Sequence, residues 1–206
     1  MPDTPGDMET SFGVRSFDAA ISVEAYNELP KLPLYFILDN LRSAFNVGCI
    51  FRTCDILRLT ELVLCGYTAF PPNRKLEKTS LGTTRYVPWR HFSSTLEAVA
   101  WFQERGIPVW AAETTAKSAS YLQEAYPPEL AIVLGNETVG ISQEVLEQCD
   151  RLIEIPTYGF KNSLNVACAC TVLGYSFLER IGRGTRLSEG SPRGTNELRA
   201  EQPENP

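Results

Sequence analysis

IPTYGFKNSLNVACAC, residues 155–170, reads as the end of a strand, a glycine-containing loop and the mouth of an almost wholly apolar helix. Asn162, Ser163 and Asn165 flank Leu164 where that helix begins, and the apolar setting predicts that their side chains are buried. A buried amide left unpaired costs about 1–3 kcal/mol, so this stretch requires partners from elsewhere in the chain.

Upstream of it the same grammar repeats. LYFILD (34–39), ELVLCG (61–66), IPVWAAE (107–113) and LAIVLG (130–135) are runs of strand length, apolar along most of their extent. Helical patterns lie between them: one from Asn46, a short one over Asn73 to Ser80, one over 94–106 ended by Gly106, and a weaker one from Ser118 to Tyr126 stopped by Pro127 and Pro128. Alternation of this kind, with strands apolar on both sides, predicts an α/β fold: a mostly parallel sheet with helices on both faces. In such folds the site is expected at the carboxyl ends of the strands, here the loops after Asp39, Gly135 and Ile155.

The helix from Asn46 buries Val47, Ile50, Phe51 and Cys54 by its spacing. Asn46 is a good N-cap, and Phe45 with Ile50 are placed as a hydrophobic staple. Gly48, one turn below Arg52, clears space for a ligand or for another backbone. Arg52 itself either reaches that ligand or pairs with Asp55 on the surface.

With 206 residues and 43% hydrophobic composition the chain supports one domain. It is placed at 34–182, between an extension over 1–33 that holds a short amphipathic helix before Pro30 and a tail over 183–206 without apolar periodicity, expected to be disordered. No window approaches the ~18 apolar residues of a membrane span, and the first residues lack the basic and apolar regions of a signal peptide, so no membrane partner and a cytoplasmic location are expected. The six cysteines form no CxxC pair and are read as reduced core thiols. His91 is the single histidine, which argues against a His-dependent triad and against a metal site; it remains a surface loop residue or a lone acid or base.

A net charge of −6 taken whole argues against a nucleic-acid partner. Between Arg42 and Arg90, however, eight basic residues stand against three acids. GNETVGIS (135–142) has the glycine spacing of a phosphate loop, but Ile141 occupies the lysine position, which excludes a working Walker motif. Its Asn136-Glu137 pair either binds a ligand or forms a turn closed by Glu137.

Together, NLRSAFNVGCIFRTCD (40–55), IVLGNETVGIS (132–142) and IPTYGFKNSLNVACA (155–169) resemble, in order and spacing, the three motifs of the SpoU (TrmH-like) RNA 2′-O-ribose methyltransferases. The resemblance runs from about Leu34 to Gly182. It implies a deep C-terminal trefoil knot, a homodimer, and methyl transfer from S-adenosylmethionine to a ribose 2′-hydroxyl. By the same resemblance Asn46, Arg52, Glu137, Ser163 and Asn165 carry the chemistry, with Arg52 foremost, and Leu134, Gly135, Ile155, Pro156, Leu164 and Asn165 hold the cofactor. RNA contacts fall to Arg42, Arg52, Arg74, Lys75, Lys78, Arg85 and Lys161, the last of which reads equally as a solvated loop lysine. The expected substrate is tRNA, since no separate RNA-binding domain precedes the motifs; rRNA, or a catalytically silent RNA-binding role on the same fold, are the alternatives. Tyr158 to Asn162 depart from the small or acidic residues common at these positions in the family, and the target nucleotide is expected to depend on them.

Overall fold

The computed structural model describes residues 21–181. Seven strands, β1 (Leu32–Asp39), β2 (Leu59–Cys65), β3 (Trp89–Phe92), β4 (Val109–Ala112), β5 (Ala119–Ser120), β6 (Leu130–Leu134) and β7 (Arg151–Glu154), form one sheet. Its order is β3-β2-β1-β6-β4-β7-β5, and every pairing is parallel.

The sheet has two cores because its central strands are apolar on both sides. Leu34, Phe36 and Leu38 of β1 join one core with α2 (Ala44–Leu57) and α6 (Val166–Arg180); Tyr35 and Ile37 join the other with α4 (Thr95–Gln103) and α5 (Gln143–Gln148). The expected layering of helices on both faces is therefore present. A short α1 (Val23–Asn27) precedes β1, and α3 (Arg74–Ser80), capped by Asn73 Oδ1, lies against α2. Extension residues before 21 and the tail after 181 lie outside the described residues.

Several local expectations are corrected. Helix α2 begins two residues before Asn46 and is capped by Ser43, whose Oγ accepts the Asn46 N–H at 3.2 Å. Both residues are strong caps in isolation; the earlier start leaves the Asn46 side chain free for a distant partner. Phe45 is 47% exposed, so no staple forms. Of the two readings of Gly48 the second holds, since another backbone and not a ligand takes the space: a Cβ there would stand 2.7 Å from the Leu76 carbonyl oxygen of α3 and collide with Thr79. No helix forms over Ser118 to Tyr126. Instead Ala119 and Ser120 extend the sheet as β5 beside β7, and the Tyr121 N–H donates to Glu154 O at 3.0 Å. Backbone pairing with an open strand edge outweighs a weak helical preference, typically a few tenths of a kcal/mol per residue.

From β5 the chain returns to β6 along α6. Tyr126 packs between Trp110 and Phe177, and Arg180 donates to the Leu122 carbonyl at 2.8 Å. The 113–129 connection thus touches β7 on one side and α6 on the other. His91 lies on strand β3 and not in a loop, its ring tilted against that of Phe70 and its Nε2 2.8 Å from Gly66 O. All six cysteines are free thiols, but Cys49 and Cys168 are exposed and only Cys54, Cys65 and Cys170 are fully in the core. Burial pushes the Cys65 thiol up to about 12 and keeps it inert at neutral pH.

Candidate active site

The loops after β4, β6 and β7 surround a cleft of about 710 Å³ at the carboxyl edge of the sheet. This is the edge where ligands of open parallel sheets bind, and the volume lies within the range of small-molecule sites. Leu134, Gly135, Ile155, Ser163, Leu164 and Asn165 line it. Pro156 does not, although it was grouped with them on the sequence.

Glu137 sits at the rim. Its Oε2 accepts the Arg42 N–H at 2.8 Å and its Oε1 the Ser43 N–H at 3.2 Å and the Asn46 amide at 2.9 Å. The carboxylate therefore caps the positive end of α2 from outside the helix. Desolvation pushes Glu137 up, but the hydrogen bonds from Arg42, Asn46 and Ser43 together outweigh it and hold its carboxyl below the ordinary value.

Asn46 continues the chain: its Oδ1 accepts from the Asn165 amide at 3.2 Å, while Asn165 Oδ1 accepts the Ala167 N–H at 2.9 Å and caps α6. Glu137, Asn46 and Asn165 thus link the loop after β6, the first turn of α2 and the loop after β7 in one run of hydrogen bonds. The expectation that Asn162, Ser163 and Asn165 are buried fails. All three are exposed, because the chain opens onto the cleft before the apolar helix begins.

Two residues outside the expected catalytic and cofactor-binding sets hold this frame. Asn136, only 6% exposed, donates to Asn40 O at 2.6 Å and to Tyr67 Oη at 2.7 Å, and its Oδ1 accepts the Thr138 and Val139 N–H groups. It is Asn136, not Glu137, that closes the turn. Glu113, just past the end of β4, accepts the Ile141 N–H at 3.0 Å and pins the far end of that loop. Its position at a strand's carboxyl end was the available signal. Gly135 is required where the loop doubles back, since a Cβ would come within 2.7 Å of Ile141 Cγ1 and 2.8 Å of the Gly140 carbonyl carbon.

Arg52 is exposed on α2 and forms no hydrogen bond or ion pair with the described residues, leaving all its donors for a ligand. Arg74, Lys75 and Lys78 are exposed on α3, Arg85 on the following 3₁₀ turn, and Lys161 on the loop after β7. Arg42 is exposed and donates to Thr138 Oγ1 at 2.9 Å. Two members of the basic window are withdrawn from the surface field: Arg58 is 91% buried with Nη1 unpartnered, and Arg90 pairs with Glu61 at 2.9 Å. Among the described residues there is no cluster of three His, Cys, Asp or Glu able to hold a metal ion, and no helix long and apolar enough to cross a membrane.

A parallel α/β sheet with a cleft of small-molecule size at its carboxyl edge, lined by the loops after β4, β6 and β7, defines a ligand-binding α/β protein. Comparison with known proteins narrows this. Residues 33–175 match the model of the SpoU rRNA Methylase family, and the chain belongs to that family. A Bacillus subtilis protein named for the TrmH family of tRNA/rRNA methyltransferases is 30% identical over 152 residues, which are 74% of this chain and 61% of that protein. The chain thus spans about three fifths of the length of that relative. The AdoMet-bound rRNA methyltransferase of Sinorhizobium meliloti superposes with a TM-score of 0.68 at 25% identity, over 76% of this chain and 60% of that one. A structure described by the 2-OH methylation of C/U34 on tRNA superposes with a TM-score of 0.64 at 25% identity, over 73% of this chain and 97% of that one.

Proposed function

We propose that this protein is an S-adenosylmethionine-dependent RNA methyltransferase that modifies a ribose 2′-hydroxyl, with tRNA as its substrate. The observation that carries the reading is the run Glu137–Asn46–Asn165, which ties the three family motifs into one rim around the cleft. The tRNA assignment rests on the neighbour named for 2-OH methylation on tRNA, nearly all of which this chain matches.

The cleft fits the cofactor by its donor set. Apolar side chains of Leu134, Ile155 and Leu164 flank backbone groups around Gly135, while the carboxylates of Glu113, Glu137 and Glu154 supply negative charge for a sulfonium and an ammonium. When bound, the cofactor supplies an activated methyl group and leaves as a neutral thioether. The chain's own work is then alignment of the hydroxyl and disposal of its proton.

Glu137 is spent on three donors and is ionised well below neutral pH, so it positions α2 and Asn46 and does not serve as the base. Asn46 and Asn165 fix each other across the rim. Arg52 carries a permanent charge and cannot accept a proton at neutral pH, so its role is to clamp an RNA phosphate and orient the ribose. The hydroxyl proton leaves to solvent.

The remaining elements follow the same reading. The 113–129 connection, passing outside β7 and back along α6, supports a trefoil knot closed around that segment. Exposed Phe45 and Ile56 on α2 and Tyr175 on α6 support a homodimer through that face. A cytoplasmic location is part of the same proposal.

The test is incubation of the full chain with labelled S-adenosylmethionine and RNA lacking the modification, followed by mapping of the labelled nucleotide. Label on a tRNA ribose is expected. Label on rRNA would overturn the substrate, label on a protein or small molecule the class, and no cofactor affinity the enzyme itself, leaving a silent RNA-binding protein.

A further inference from the structure

The loop after β7 carries two aromatic side chains that the site just described does not use. Tyr158 is 97% exposed and Phe160 100% exposed. Neither joins the two apolar cores, and neither lines the cleft. Between them Gly159 has nothing within 4 Å of where a Cβ would stand. The loop is nonetheless tethered at both feet: Ile155 packs against the core, and Asn165 is bonded to Asn46 and caps α6. Tyr158 is four positions from the cleft-lining Asn162, so its backbone lies at most about 14 Å along the chain from the cleft wall.

Aromatic side chains each bring roughly 150–250 Å² of surface, and leaving two of them wholly in water forgoes that burial. A flat apolar partner would recover it. RNA offers one in an unpaired base, which stacks on aromatic rings regardless of its identity. Lys161, exposed beside Phe160, supplies a cation for the phosphate of the same nucleotide. A 2′-hydroxyl reaching a cleft at the sheet edge belongs to a nucleotide out of regular helical stacking, so a base close to the target needs a new surface.

We propose that Tyr158 and Phe160 form a stacking platform for an unpaired RNA base next to the cleft, with Lys161 on its phosphate. This rests on the methyltransferase reading only for the identity of the partner as RNA. The occupant is single-stranded RNA and not the cofactor, because both rings stand outside the cleft lining.

The test uses the full chain and RNA hairpins carrying 2-aminopurine in the loop, whose fluorescence is quenched by stacking. The Tyr158→Ala/Phe160→Ala double variant is expected to weaken hairpin binding by about tenfold or more and to abolish quenching, since stacking by one ring is worth roughly 5- to 150-fold. Tyr158→Phe and Phe160→Tyr retain the rings and should retain both signals. Cofactor affinity by calorimetry and oligomeric state by sedimentation should be unchanged in all three. Unaltered hairpin binding in the double variant overturns the platform. So does loss of cofactor affinity, which would assign the rings to the cleft, or dissociation of the oligomer, which would assign them to a second copy. If the wild-type protein binds no cofactor yet its quenching depends on these rings, the methyltransferase reading falls and the platform stands.

Discussion

Glu137 commits its carboxylate to three hydrogen-bond donors, and the role proposed for it needs no proton transfer. Its three donors favour the ionised form, so its folded value lies below that of the unfolded chain. The stability it contributes is complete above the ordinary carboxylate value of about 4.3 and is lost as pH falls through the lower folded value. Glu137→Gln is therefore expected to destabilise the protein by about 1 kcal/mol at pH 7, on the scale of a lost helix cap and discounted for its exposure. Urea titrations below pH 4 should show that difference closing. Arg52 makes the complementary case, a charge with no internal partner among the described residues. Arg52→Ala is expected to lower methyl transfer by about 10²–10³-fold, the scale of a lost electrostatic stabiliser, with cofactor affinity in calorimetry unchanged. If Arg52 only clamps and orients, the pH–rate profile of Arg52→Lys keeps the wild-type shape at a reduced rate. A deprotonation step lost in that variant would make Arg52 the base.

At the level of elements, α2 carries the site on one side and seats α3 on another. Gly48 permits the second contact, since Leu76 O and Ser80 N lie 2.7 and 3.0 Å from where a Cβ would be. Gly48→Ala improves helix propensity by about 1 kcal/mol but forces backbone apart from backbone, an overpacking cost of about 1–3 kcal/mol. A lower urea midpoint at unchanged slope is the expected result, together with weaker RNA binding if α3 shifts. The burial face of α2 was legible because Val47, Ile50, Phe51 and Cys54 repeat at helical spacing, and all four are fully buried. Its start was not. Ser43 and Asn46 are equivalent caps in isolation, and the choice between them was made by Glu137, 91 residues away. The same holds for Ser118 to Tyr126, whose conformation is set by the edge of β7. In the site, the strand pattern marked the loops and the family motifs marked Asn46, Glu137 and Asn165, whereas the contacts that Asn136 and Glu113 make with distant loops follow from neither.

For the molecule as a whole the question is how a chain of net charge −6 would bind the polyanion proposed as its substrate. With Arg58 buried and Arg90 paired, the window between Arg42 and Arg90 presents six exposed cations: Arg42, Arg52, Arg74, Lys75, Lys78 and Arg85. Three of these are on α3, which packs on the helix that carries Arg52 and Asn46, so they stand on the side of the candidate site that α2 forms. Local field and not net charge then governs association, and each phosphate neutralised releases counterions. RNA affinity should fall linearly on a log–log plot against salt. Replacing Lys75 and Lys78 together by alanine should reduce the magnitude of that slope by about 1.4–1.8, from a per-contact contribution of about 0.7–0.9. The loss should be uniform across RNA sequences, and stability should change by less than about 0.5 kcal/mol because both side chains are on the surface. A slope that ignores this double substitution would take α3 off the RNA path and leave Arg42, Arg52, Arg85 and Lys161 as the electrostatic footprint among the predicted contacts.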